Sequence, residues 1–121
     1  MKRTTPDLIE ELMKVGWFKE PHISILARAD FRCEYCGQDL LATFNDCFNA
    51  QVDHICPRAN DGSEVESNLA ACCTTCNSLK WTYTPHGENR DERLADAAVH
   101  VQEQRRVQKV NWIKYRELMG R

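Results

Sequence analysis

The sequence has no surplus of basic charge, no long apolar run and no internal repeat or low-complexity tract. Lys and Arg number 16 against 18 Asp and Glu, so overall charge gives no reason to expect attraction to nucleic acid. No stretch approaches the ~20 apolar residues that a membrane-spanning helix needs. The opening Met1-Lys2-Arg3-Thr4-Thr5-Pro6-Asp7 carries no apolar signal segment. No membrane association is therefore expected, and an intracellular (cytoplasmic) setting is, where thiols stay reduced. There, seven cysteines point to metal rather than to a disulfide framework. A chain of 121 residues suits one domain with a modest core, which a structural metal would help to stabilise.

The charge that is there is unevenly placed. From Gln104 to Arg121 six basic residues (Arg105, Arg106, Lys109, Lys114, Arg116, Arg121) stand with one acid, Glu117. Taken alone, such a run reads as a solvated helix face.

Thr5-Pro6-Asp7 reads as a helix start: Thr as cap, Pro at the first position, an acid in the first turn. The helix would carry Leu8, Ile9, Leu12, Met13 and Val15 and stop at Gly16. Trp17 and Phe18 are expected to cover core. After Pro21, a short helix with Ile23, Ile25, Leu26 and Ala29 completes a helical brace over residues 1–30. At the other end, Thr84 to Asn89 reads as a linker and 90–121 as a long helix. Its Leu94, Ala97, Ala98, Val101, Trp112, Tyr115 and Met119 fall on one stripe, interrupted by Arg105 and Gln108.

Between these flanks, residues 31–84 hold Cys33-Glu34-Tyr35-Cys36 and Cys73-Thr74-Thr75-Cys76. Two such pairs read as a four-thiolate zinc site, because tetrahedral Zn²⁺ takes two ligands from each tight turn. Gly37 suits the close of the first turn. Leu40 to Val52 fits a helical period through Leu40, Leu41, Phe44 and Phe48 as well as an irregular loop. Gln51 to Ile55 reads as a strand ended by Pro57, Arg58 to Ser67 (with Asp61-Gly62-Ser63) as a loop, and Leu69 to Cys72 as the returning strand. A helix should then open with Thr74 or Thr75 as cap and run to Tyr83. Cys47, Cys56 and Cys72 are expected as small buried apolar residues, and only Cys73, not Cys72, has the right spacing to Cys76. His22, His86 and His100 read as structural or surface residues.

The ordered set Cys33/Cys36, Val52-Asp53-His54-Ile55-x-Pro57, Gly62, Asn68-Leu69, Cys73/Cys76, Asn77 and Lys80 resembles the HNH endonuclease family. The resemblance spans Phe31 to Lys80. It implies an α+β fold, a ββα-metal finger supported by a four-Cys zinc knuckle, with flanking N- and C-terminal helices. It also implies His54 as general base and Asn68 as the residue holding the loop that orients it. Asp53 would share the catalytic ion. Asn77 stands at the final His position, a metal ligand, and this departure also occurs in the HNH domains of CRISPR effector nucleases. Products would carry 5′-phosphate and 3′-hydroxyl ends.

The side chains suit that chemistry on their own terms. Phosphodiester hydrolysis needs a deprotonated water and a cation for the charge that builds on the phosphoryl oxygens. A histidine, with an ordinary pKa of about 6.5, can take a proton near neutral pH. The Asp53 carboxylate and Asn77 amide oxygen are hard donors suited to Mg²⁺ or Mn²⁺, whereas thiolates suit Zn²⁺. Lys80, one helical turn beyond Asn77, is placed to face a phosphate; Arg58, Arg105, Arg106 and Lys109 are further candidate contacts. Singly, His54 would be a half-buried histidine, Asn68 a turn residue, Asn77 a helix-start residue, and Lys80 and Arg58 surface charges. Their order favours catalysis. In a regular strand Asp53 and His54 point to opposite faces, so either the strand ends at His54 or Asp53 lies behind the site.

The expectation is a metal-dependent nuclease on DNA, RNA not excluded, nicking one strand as a monomer. Double-strand cutting would need a homodimer or a protein partner. The competing reading is a zinc-stabilised module that binds nucleic acid or protein through its basic C-terminal helix. Binding alone would need none of Asp53, His54, Asn68 and Asn77.

Overall fold

Thr5 begins the first helix as its sequence dictates: its Oγ1 accepts the Leu8 N–H at 3.1 Å, and Pro6 follows at the first helical position. The computed structural model describes residues 5–60 and 62–121, so the first four residues of the expected brace, and Asp61 of the expected loop, lie outside the described residues. Helix α1 (Pro6–Val15) ends at Gly16, whose φ of 82° is the left-handed conformation that glycine adopts without strain. Helix α2 (His22–Arg28) sends Ile23, Ile25 and Leu26 into the core, while α1 only leans Ile9 and Leu12 against it. Phe18 stacks on Trp17 at 5.6 Å and meets Phe31 edge-on at 6.3 Å. Phe18 thus covers core, but Trp17 stays 45% exposed.

The chain then turns tightly, with the Gly37 N–H donating to the Cys33 carbonyl at 2.8 Å. The ambiguous stretch before the sheet is both things at once, a loop holding the five-residue α3 (Phe44–Phe48) under a Thr43 cap. Strands β1 (Gln51–His54) and β2 (Leu69–Cys72) pair antiparallel, Gln51 opposite Cys72 and His54 opposite Leu69. Every residue of β2 is buried. Its outer edge is closed by Glu34, which donates its N–H to Ala71 O at 2.9 Å and accepts the Ala71 N–H on Oε2 at 2.8 Å. Arg90 reaches from the far helix to both Glu34 Oε1 (2.9 Å) and Leu69 O (3.1 Å).

Helix α4 (Thr74–Lys80) completes a ββα unit and departs from expectation at both ends. Its cap is neither Thr74 nor Thr75 but Cys73, whose Sγ accepts the Cys76 N–H at 3.4 Å. It stops at Lys80 because Trp81 has a φ of 49°, which no helix accommodates. Helix α5 (Arg90–Leu118) packs Leu94, Ala97, Ala98 and Val101 on the core. The rest of the expected stripe is not packed: Trp112, Tyr115 and Met119 are 55%, 71% and 69% exposed. At 29 residues, about 44 Å, the helix outruns the surface beneath it. Cys72 is buried as expected, whereas Cys47 and Cys56 are only half-buried. The architecture is α+β, and no helix among the described residues is long and apolar enough to cross a membrane.

Candidate active site

The sulfurs of Cys33, Cys36, Cys73 and Cys76 all lie within 4.8 Å of one another, with Cys36 and Cys73 at 3.9 Å. Zinc–sulfur bonds of about 2.3 Å in a tetrahedron imply sulfur separations of about 3.8 Å, so one ion fits among them with little closure. Hydrogen bonds from Cys33 and Cys76 lower the Cys73 thiol well below its usual range, and Cys73 in turn pushes Cys33 up to about 11. Arg105 points its Nη2 at Cys76 Sγ from 3.1 Å. Sequence had assigned Arg105 to substrate; the structure places it on the thiol cluster.

Alternation along β1 puts Gln51 and Asp53 on one side of the strand, towards α4, where Asn77 and Lys80 meet them one helical turn apart. A hydrogen-bond relay fixes the Asn77 amide. Thr74 Oγ1 donates to Asn49 O at 2.8 Å, so its oxygen is left to accept from Gln51 Nε2 at 3.4 Å. Gln51 Oε1 then accepts from Asn77 Nδ2 at 2.5 Å, which leaves Asn77 Oδ1 as the amide atom available to a cation.

Asp53 Oδ2 takes the Tyr35 hydroxyl at 2.7 Å and Lys80 Nζ at 3.1 Å, and Oδ1 takes neither. Burial first, and then the Asp53 charge, raise the Tyr35 phenol well above its ordinary range and keep it a donor. Lys80 is turned inward, its side chain fully enclosed, and also donates to His54 O at 3.0 Å. The position expected at a phosphate is thus filled by an internal cation that binds the Asp53 carboxylate to the backbone of His54.

His54 is the last residue of β1. Its Nε2 lies 2.9 Å from Glu64 Oε1, an oxygen that also accepts from Arg58 Nε at 2.5 Å. Arg58, and to a lesser degree His54, hold the Glu64 carboxyl below its usual range. Asn68 closes the intervening loop: Oδ1 accepts the Cys56 N–H at 2.8 Å, and Nδ2 donates to Cys56 O (3.1 Å) and Ser63 O (2.8 Å). The loop folds back so closely that a Cβ on Gly62 would lie 1.7 Å from Cys56 O. The structure therefore gathers Asp53, Asn77 and Lys80 on one side of β1 and His54 at its end, with Arg58 and Asn68 in the loop beyond. Arg106 pairs with Glu103 one turn away, and Lys109 is exposed on α5. Sequence reasoning missed Glu64, Gln51, Tyr35 and Glu34, none of which carries a local signal for its partner.

Residues 33–81 match the HNH endonuclease family. Over 54 residues the chain is 43% identical to the CRISPR-associated endonuclease Cas9 of Corynebacterium diphtheriae. That stretch is 44% of this chain but only 4% of the length of that relative. No solved structure matches the chain.

Proposed function

We propose that residues 33–81, an HNH endonuclease domain by this match, hydrolyse DNA phosphodiester bonds with a divalent metal ion, nicking one strand at a time. The observation that carries the reading is the pairing of β1 with α4. Gln51–Asn77 and Asp53–Lys80 hold an amide oxygen and a carboxylate oxygen on one side of a strand that ends in an anchored imidazole.

The four thiolates suit Zn²⁺, which would tie the knuckle to the start of α4 as a structural ion. Asp53 and Asn77 offer hard oxygens of the kind that Mg²⁺ or Mn²⁺ prefers; bound there, such an ion supplies charge against the phosphoryl oxygens. The protein's own residues do the rest. His54 donates Nε2–H to Glu64, which leaves Nδ1 with the lone pair that accepts a proton from the attacking water. Asn68 keeps the loop closed, and with it the position of Glu64. Lys80 pairs with the Asp53 carboxylate and fixes it relative to the backbone of His54. Arg58, Arg106 and Lys109 provide contacts to the DNA backbone that position it without reading sequence.

One finger holds one such site, so a single chain cuts one strand, and a double-strand break requires a second copy or a partner. The test is supercoiled plasmid incubated with the zinc-loaded protein. Relaxed circles should accumulate with Mg²⁺ or Mn²⁺ and not when those ions are omitted. Binding without nicking under any divalent ion would make the chain a zinc-stabilised binding module instead.

A further inference from the structure

Helix α4 ends in a turn that its sequence does not favour. Lys80 O accepts the Tyr83 N–H at 3.0 Å, closing four residues in which Trp81 is second, with φ 49° and ψ −124°. That is the first central position of a type II′ turn, where glycine is at home and a bulky L-residue is strained. Burial does not compensate: Trp81 is 78% exposed, more than any other large apolar side chain among the described residues. Backbone strain that holds a large ring in solvent is of the kind found at functional sites.

The turn is strapped to the proposed catalytic groups on two sides. Lys80, its first residue, holds Asp53 and the His54 carbonyl. Asn60, in the loop after His54, donates Nδ2 to Thr82 O at 3.0 Å and to Thr84 Oγ1 at 2.6 Å. Beside Trp81 opens a groove of about 580 Å³ that Tyr83, His100, Gln104 and Gln108 help to line. Tyr83 and His100 stack there at 3.9 Å with their planes 2° apart. Ring faces and side-chain amides match the faces and edges of nucleobases better than they match an apolar protein surface.

We propose that Trp81 is a substrate-binding residue that lays its indole against an unstacked base of the DNA strand next to the bond to be cut. The inference rests on the nuclease reading above and adds a contact to it. In the absence of added Mg²⁺ or Mn²⁺, binding of a fluorescein-labelled single-stranded DNA oligonucleotide by wild type, Trp81→Gly and Trp81→Phe would be compared by fluorescence anisotropy, with thermal melting alongside. Trp81→Gly should weaken binding about 5- to 150-fold, the range for one lost stacking contact, and should raise Tm, because glycine relaxes the turn. Trp81→Phe should keep most of the affinity. A lower Tm for Trp81→Gly would mark a packing residue and overturn the proposal. So would wild-type affinity in Trp81→Gly, which would leave the ring to a protein partner while nicking by wild type kept the nuclease reading intact. Wild-type protein that neither binds nor nicks DNA would overturn both.

Discussion

His54 Nε2 and Glu64 Oε1 stand 2.9 Å apart across a loop that Asn68 and Gly62 fold shut. An imidazole with one nitrogen committed to a carboxylate has a fixed tautomer and a fixed ring orientation, both of which a general base needs. Glu64 is 62% exposed, so its value lies in orientation rather than in stability.

Glu64→Ala should accordingly lower kcat, on the order of 10²-fold for a misplaced reacting group, with KM for DNA little changed. Glu64→Gln, which keeps an acceptor oxygen, should fall between. A faster Glu64→Ala enzyme would mean that the carboxylate blocks the base rather than orienting it.

Lys80 and Asp53 form a buried pair, with side-chain exposures of 0% and 10%. Removing one partner from such a pair typically costs about 3–5 kcal/mol, because the other charge is left uncompensated. Lys80→Met should therefore melt much earlier than wild type, and adding Asp53→Asn should recover part of the loss. Denaturant titration of the single and double variants checks this; equal midpoints for wild type and Lys80→Met would remove the pair from the account.

In the thiol cluster, Cys73 is both a candidate ligand and the cap of α4, so Cys73→Ser should lose metal and fold together. Arg105→Ala should keep the fold but release metal to a competing chelator about 10- to 100-fold more readily, as expected when a group that hydrogen-bonds a ligand is removed. Retention equal to wild type in Arg105→Ala would return that side chain to the DNA-facing role its sequence position suggested.

The contrast between what could and could not be foreseen has a physical pattern. Helix α1 was legible because Thr5, Pro6 and Gly16 are local signals. The two strands and the paired cysteines were legible because the stop at Pro57, the loop composition after it and the two-residue spacing of each cysteine pair are local too. The end of α4 was not, since Trp81 is a residue no turn rule selects. Nor was the cap of α4, because cysteine is not among the usual cap residues and here serves through a sulfur wanted by the metal turn. Periodicity carried the α5 stripe on to Met119 but cannot say where the underlying surface ends, after Arg105. Strand alternation left open whether β1 ends at His54 or Asp53 lies behind the site; β1 does end at His54, and only tertiary packing reveals that Lys80 ties the two together by holding one side chain and the other's carbonyl. Glu64 lies 10 residues from His54, and its approach depends on loop closure rather than on any pattern in the chain.

The central claim is that His54 takes the proton from water. Asn68 and Asn77 cannot do so, and a metal-bound Asp53 carboxylate would be too weak a base. The most direct measurement is single-turnover nicking of plasmid DNA by wild type and His54→Ala, after both have been matched for zinc content, melting temperature and DNA affinity. The account predicts a loss on the order of 10²- to 10⁴-fold in the cleavage step of His54→Ala. Nicking by that variant at the wild-type rate would contradict it.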